Sequence, residues 1–176
     1  MELRLVKPLL IGVSGVLLVI LLISLLLPSH VMTSKWVVVY SDKASALDEI
    51  RDLNHWQDWN LLLDGAKDLK VSQNNHVTDT TSRIEWIDIA ERKNQIAVTG
   101  SNDKGLVTDI HIGDQRPLVS GFSIEKRPKD SVQVVWYIIE TLKWYPWEKF
   151  YGMMAGDMKG PLMEKSLANL KRRMEE

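Results

Sequence analysis

Six large apolar residues, Trp56, Trp59, Trp86, Trp136, Phe150 and Met154, are the side chains whose types and positions best suit the holding of another molecule. Aromatic rings and methionine thioethers bind apolar or amphipathic ligands through area and shape, with a few polar contacts to orient them. The same rings fill ordinary cores, so type alone leaves lining and filling both open. Residues suited to proton transfer are sparser. Asp109 and His111 stand two apart on an expected strand and share a face, where a carboxylate can orient an imidazole. A solvated outer face is the competing placement. Glu140 follows Trp136 and Ile138 at alternate positions and falls on one face with them; a desolvated carboxylate there would be an acid or base with a raised pKa, whereas strand ends are usually wet. Glu85 and Asp88 fall on opposite faces of their strand and do not form a close carboxylate pair. No catalytic constellation is expected.

The four histidines, His30, His55, His76 and His111, have no metal-ligand spacing, and there is no cysteine. Thiolate chemistry, disulfides and thiolate metal sites are therefore excluded, and no metal is expected. A phosphate-binding loop, a dinucleotide fingerprint and a nucleophile elbow are all missing, so no cofactor is expected. With 22 basic against 23 acidic residues the chain has no electrostatic footprint for gripping a nucleic-acid backbone.

These residues must be positioned by elements, and the longest is C-terminal. Met163, Leu167, Leu170 and Met174 recur at helical spacing, as do Phe150, Met154 and Met158 before them, which predicts one long amphipathic helix over 147–176 with these two stripes buried. Pro161 predicts a bend or a restart after Gly160. Val31–Tyr40, VMTSKWVVVY, predicts a first strand. Asp42 caps a short helix whose stripe is Leu47, Ile50 and Leu53, and HWQDWNLLL predicts a second short helix that stacks Trp56 and Trp59 on one face. After Gly65, LKVS, SRIEWIDI, QIAVTGS, LVTDIHI, LVSGFSIE and SVQVVWYIIETL predict six strands, most joined by hairpin-length turns, hence an antiparallel meander. Trp144, Tyr145, Pro146 and Trp147 form an aromatic turn into the last helix; a place at lipid headgroup level, a lid and a packed corner are its three readings.

From Leu9 to Leu27, LLIGVSGVLLVILLISLLL holds no charge and as a helix is roughly 28 Å long, enough to span a bilayer. The run exceeds a usual signal-peptide core, and LLLPSHV has no A-x-A-like cleavage point. An uncleaved single-pass anchor is expected. Arg4 and Lys7 precede it, and no charge follows until Lys35, so the N-terminus is expected in the cytoplasm and the domain outside, in the periplasm if the source is bacterial. Pro28, Ser29 and His30 are too short a linker to let the domain leave the membrane surface. The domains are thus 1–30, anchor and linker, and 31–176.

One strand, two short helices, six strands and a long helix, with LPSHV entering the first strand, DLNHWQDWN after the first helix and FYGMMAGDMKGPLMEKSLANLKRRMEE at the end, resemble the membrane-anchored members of the START-like, polyketide cyclase/dehydrase (SRPBCC) superfamily. The likeness is most specific at EKSLANLK, Glu164 to Lys171; between the second and third strands, where many relatives are glycine-rich, this chain has VSQNNHVTDTTSR. The resemblance implies an α+β helix-grip fold, a curved antiparallel sheet wrapped around the C-terminal helix, here preceded by one transmembrane helix. It also implies a cavity for a hydrophobic small molecule or lipid beside the bilayer. A cyclase- or dehydratase-type enzyme and an envelope assembly factor with a protein partner are the alternatives.

Overall fold

The computed structural model describes residues 3–73 and 81–176, so His76 and most of VSQNNHVTDTTSR lie outside the described residues. Helix α1 (Leu3–Leu26) is followed by strand β1 (His30–Val39) and helix α2 (Lys43–Arg51). Asp42 caps α2 as expected, its carboxylate accepting from the Ala44 and Ser45 N–H groups at 2.8 and 3.0 Å. A run of short helical turns between Leu53 and Leu63 follows, including the single turn α3 (Trp56–Trp59). Then come β2 (Lys67–Ser72), β3 (Arg83–Ile87), β4 (Lys93–Asn102), β5 (Gly105–Ile112), β6 (Leu118–Arg127) and β7 (Ser131–Thr141), and the chain closes with α4 (Pro146–Glu175).

All seven strands form one antiparallel sheet in the order β1-β7-β6-β5-β4-β3-β2. The meander is as expected, and β1 completes it by pairing with β7 from His30↔Thr141 to Val39↔Val132. Register shifts between Lys67 and Lys70 and between Val98 and Gly100 mark bulges, which bend a strand and deepen its twist, so the sheet curves. Gly105 is required where β5 starts against β6: a Cβ there would lie 1.8 Å from the Phe122 carbonyl oxygen.

The concave face buries alternate residues of each strand, among them Ile84, Ile96, Ile110, Phe122, Val134, Trp136 and Ile138. Against it pack Ile50 and Leu53, the α3 indoles, and the second half of α4 through Met163, Leu167 and Leu170. That half of α4 follows the expected stripe, with Met174 partly buried.

The first half inverts it. Lys149, Gly152, Ala155 and Gly160 are buried, while Phe150, Met154 and Met158 are 42, 61 and 59% exposed. The cause is steric. A Cβ on Gly152 would meet Leu142 Cδ1 at 2.2 Å and Val31 Cγ2 at 3.2 Å, so only small residues fit where this part of the helix meets the ends of β1 and β7. Nor does the helix restart at Pro161, which lies on its exposed side; there the carbonyl deprived of its N–H partner can meet solvent, and α4 runs on unbroken.

Candidate functional site

The aromatic residues expected to line a pocket divide between three places. Trp56, Trp59 and Trp136 are fully buried and gather around Phe122: ring centroids lie 5.3 Å apart for Trp56–Trp59, 5.5 and 5.7 Å for each of these with Phe122, and 5.2 Å for Phe122–Trp136. Trp56 Nε1 donates to the Ile50 carbonyl and Trp136 Nε1 to Ser120 Oγ, both at 2.8 Å, so these two indoles are fixed at their polar ends as well as by packing. Trp86 is buried on the same face of β3, beside a separate cleft of about 750 Å³ at the β2–β4 side of the sheet, bordered also by Glu85, Gln95 and His111. Phe150 and Met154 point away from the sheet on the exposed side of α4. The six residues do not surround one space.

A different set does. The end of β7, the start of β6, the turn from Ile112 to Pro117 and the first half of α4 enclose a cleft of about 700 Å³. Its walls include Leu118, Leu142, Trp147 and Tyr151, and its polar groups include Arg116, Lys143, Glu140 and Lys159. The alternation that puts Glu140 with Trp136 and Ile138 holds, but the strand end is dry: Glu140 is only 6% exposed. The amine of Lys159 meets its carboxylate from α4, two turns beyond Tyr151, whose ring lies 5.7 Å from Lys159 Nζ. Burial holds the Lys159 amine below the ordinary lysine range. Chemically, this is a mixed pocket: an apolar wall faces the charged side chains of Asp114, Arg116, Lys143 and Glu148, with the Glu140–Lys159 pair at its inner edge, an arrangement suited to an amphipathic molecule with a polar end.

The turn and the helix start give the cleft its shape. Arg116 Nη1 donates to the Thr141 carbonyl at 3.3 Å, and the Lys143 N–H donates to Glu148 Oε2 at 3.1 Å, which ties the strand end to the first turn of α4. This end of the domain also meets α1. Leu142 N–H donates to the Ser29 carbonyl at 2.8 Å, and the buried Lys149 Nζ donates to the Leu27 carbonyl at 3.2 Å and to Ser29 Oγ at 2.7 Å. A cation thus sits at the negative end of α1. Trp144 and Trp147 flank the junction, 63 and 69% exposed, with Tyr145 stacked on Trp147 at 4.4 Å; their indoles are not the interior of a packed corner.

Asp109 and His111 lie half-buried on the outer face of β5, opposite to its core residues Leu106, Thr108 and Ile110. Asp88 is held by Arg92 and Glu85 by Arg83, in separate surface pairs. Among the described residues no group of three or more histidines and carboxylates is arranged to hold a metal ion. Sequence reasoning missed Leu118, Leu142, Tyr151 and Lys159. The available signal was the small-residue stripe Gly152, Ala155 and Gly160, which marks the seated face of α4 and so puts Tyr151 and Lys159 at its borders.

No protein-family model and no curated protein sequence matches the chain. Solved structures do resemble it in shape. A START superfamily protein from Mycobacterium smegmatis is 21% identical over 83% of this chain and 97% of its own, with a TM-score of 0.59. A protein of unknown function from Staphylococcus aureus matches at 10% identity over 84% and 97%, with a TM-score of 0.59, and a hypothetical protein from Helicobacter pylori at 12% over 81% and 87%, with a TM-score of 0.57. At these identities the likeness concerns architecture alone, and with the curved sheet and long final helix it gives the chain a START-like, helix-grip fold.

Proposed function

We propose that the chain is a membrane-tethered helix-grip domain that takes up a hydrophobic or amphipathic small molecule, a lipid among them, in the cleft between the end of β7 and the first half of α4. The observation that carries this reading is the cleft itself: about 700 Å³, walled by Leu118, Leu142, Trp147 and Tyr151, with the Glu140–Lys159 pair at its inner edge. Its volume is that of a small-molecule site, and its apolar wall beside the charged groups of Arg116, Lys143 and the Glu140–Lys159 pair favours a ligand with a greasy body and a polar end. The aromatic cluster of Trp56, Trp59, Phe122 and Trp136 serves in this reading as the rigid floor behind the site.

Tethering is supported by α1, in which Lys7–Leu26 is long and apolar enough to cross a bilayer, and by the positive residues that precede it. The cleft is bordered by Leu142, whose N–H donates to the Ser29 carbonyl just after α1, so a ligand partitioned into the membrane would have a short path to it. Native mass spectrometry of the full chain, purified in mild detergent and offered a total lipid extract, tests the proposal. Retention of an apolar molecule, recovered by organic extraction, is the expected result. A folded chain that neither retains nor takes up any such molecule would overturn it.

A further inference from the structure

Helix α4 has an outward arc whose chemistry changes along its length. At about 100° per residue, Trp147, Phe150, Tyr151, Met154 and Met158 fall within an arc of roughly 100°, on the side opposite the buried Gly152, Met163 and Leu167. Every one of those five is large, apolar or aromatic, and exposed. Beyond Pro161, which also lies on this arc, the second half of the helix carries Lys165, Ala168, Asn169 and Arg172 there. The helix therefore buries small residues and exposes large apolar ones only in the half fastened to α1, and reverts to the soluble pattern beyond it. The fastening is specific: Lys149, in the first turn of that half, donates to the Leu27 carbonyl and to Ser29 Oγ. Trp144 and Trp147 stand at the junction, where indoles are favoured at the boundary between headgroups and acyl chains.

From this gradient we infer that the outward face of Trp147–Met158 is a docking surface for the bilayer that α1 spans, lying in the headgroup–acyl boundary and holding the domain on its side. The occupant is lipid because the apolar character is graded with distance from the anchor; a face built for a second copy or a protein partner has no reason to fade along that axis. Burial of a stripe of this kind in an interface stabilises by the usual area term, and the flanking indoles fix its depth. The inference rests on the reading of α1 as a membrane span.

The chain has no cysteine, so a single introduced one is a unique reporter. Full-length variants Leu17→Cys, Met154→Cys, Met158→Cys and Ala168→Cys, each carrying a nitroxide and reconstituted into phosphatidylcholine/phosphatidylglycerol vesicles, are compared for collision with oxygen, which concentrates in lipid, and with a water-soluble nickel chelate. The expected result is a deep signal at position 17, an oxygen-to-nickel ratio at 154 and 158 several-fold above that at 168, and a water-like signal at 168. Signals at 154 and 158 as water-like as at 168, with 17 still deep, would overturn the docking surface and leave the anchor intact. Shielding of 154 and 158 from both reagents would assign the face to a protein contact and overturn it equally. A water-like signal at 17 would remove the anchor and the docking surface together.

Discussion

Breaking the Glu140–Lys159 pair from its two sides should have unequal costs. Glu140 is 6% exposed, and its carboxylate faces the amine of Lys159, whose side chain is 23% exposed. Lys159→Met leaves a carboxylate in a dry strand end without its counter-charge, and the cost is about 3 kcal/mol, the lower part of the range for breaking a buried pair because the lysine side of this one is partly exposed. Glu140→Gln leaves a lysine that reaches water more easily and releases its proton more readily, so about 1 kcal/mol is expected. The double variant should cost less than the sum by roughly 1–3 kcal/mol, since each partner's penalty exists only while the other remains. Urea unfolding of the full chain in detergent, followed by tryptophan fluorescence, supplies these differences. The pH dependence carries the sign. Burial lowers the Lys159 pKa from 10.5, so the penalty for carrying its charge in the folded state is present in full below the folded pKa. It is relieved as pH rises from there towards 10.5 in parent and variant alike. Removing the Glu140 carboxylate lowers the variant's folded pKa further, so the deficit of Glu140→Gln should narrow between the variant's folded pKa and the parent's. Equal costs for the two single variants, additive behaviour of the double, or a deficit that widens with alkaline pH would refute the account of a shielded pair.

Two further outcomes follow from the seating of the helices. Leu167→Ala should destabilise by about 2–5 kcal/mol, since Leu167 is buried under the sheet, whereas Met158→Ala should stay within about 0.5 kcal/mol in detergent; thermal unfolding compares them directly. Asp42→Ala should lower the melting temperature at neutral pH by removing the α2 cap. The Ser45 hydroxyl and N–H, joined by that of Ala44, pull the Asp42 pKa below 3.8, so the cap's contribution is present above that value and lost as pH falls through the folded pKa; the gap between variant and parent should close in acid.

Strands and the long helix were legible because their periods are local: alternation in SVQVVWYIIET survives any tertiary arrangement, and it placed Glu140 on the face of Trp136 and Ile138. Which side of an amphipathic segment is buried is not local. In the first half of α4 the sequence holds two stripes, Phe150–Met154–Met158 and Gly152–Ala155–Gly160, and hydrophobicity selects the first for burial. Contact with Leu142 and Val31 selects the second, because at position 152 even a Cβ would lie 2.2 Å from Leu142 Cδ1, so not even alanine fits there without movement. The same limit applies to the indoles. Trp56, Trp59 and Trp136 were identifiable as interior residues, but whether they line or fill depended on Phe122, which occupies the room between them. The cleft went unread because it is made by two stretches distant in sequence, 112–118 and 140–159, and only the fold brings Leu118 and Lys159 to one space.

The most direct measurement compares bound apolar material in the parent chain and in Leu118→Trp, which enlarges a half-buried residue on the wall beside Glu140 and should fill the cleft while leaving the Trp56–Trp136 cluster intact. Native mass spectra of both full chains, taken after exposure to the same lipid extract, should show adducts on the parent and a several-fold loss on the folded variant. Equal adduct formation on both would contradict a site in this cleft.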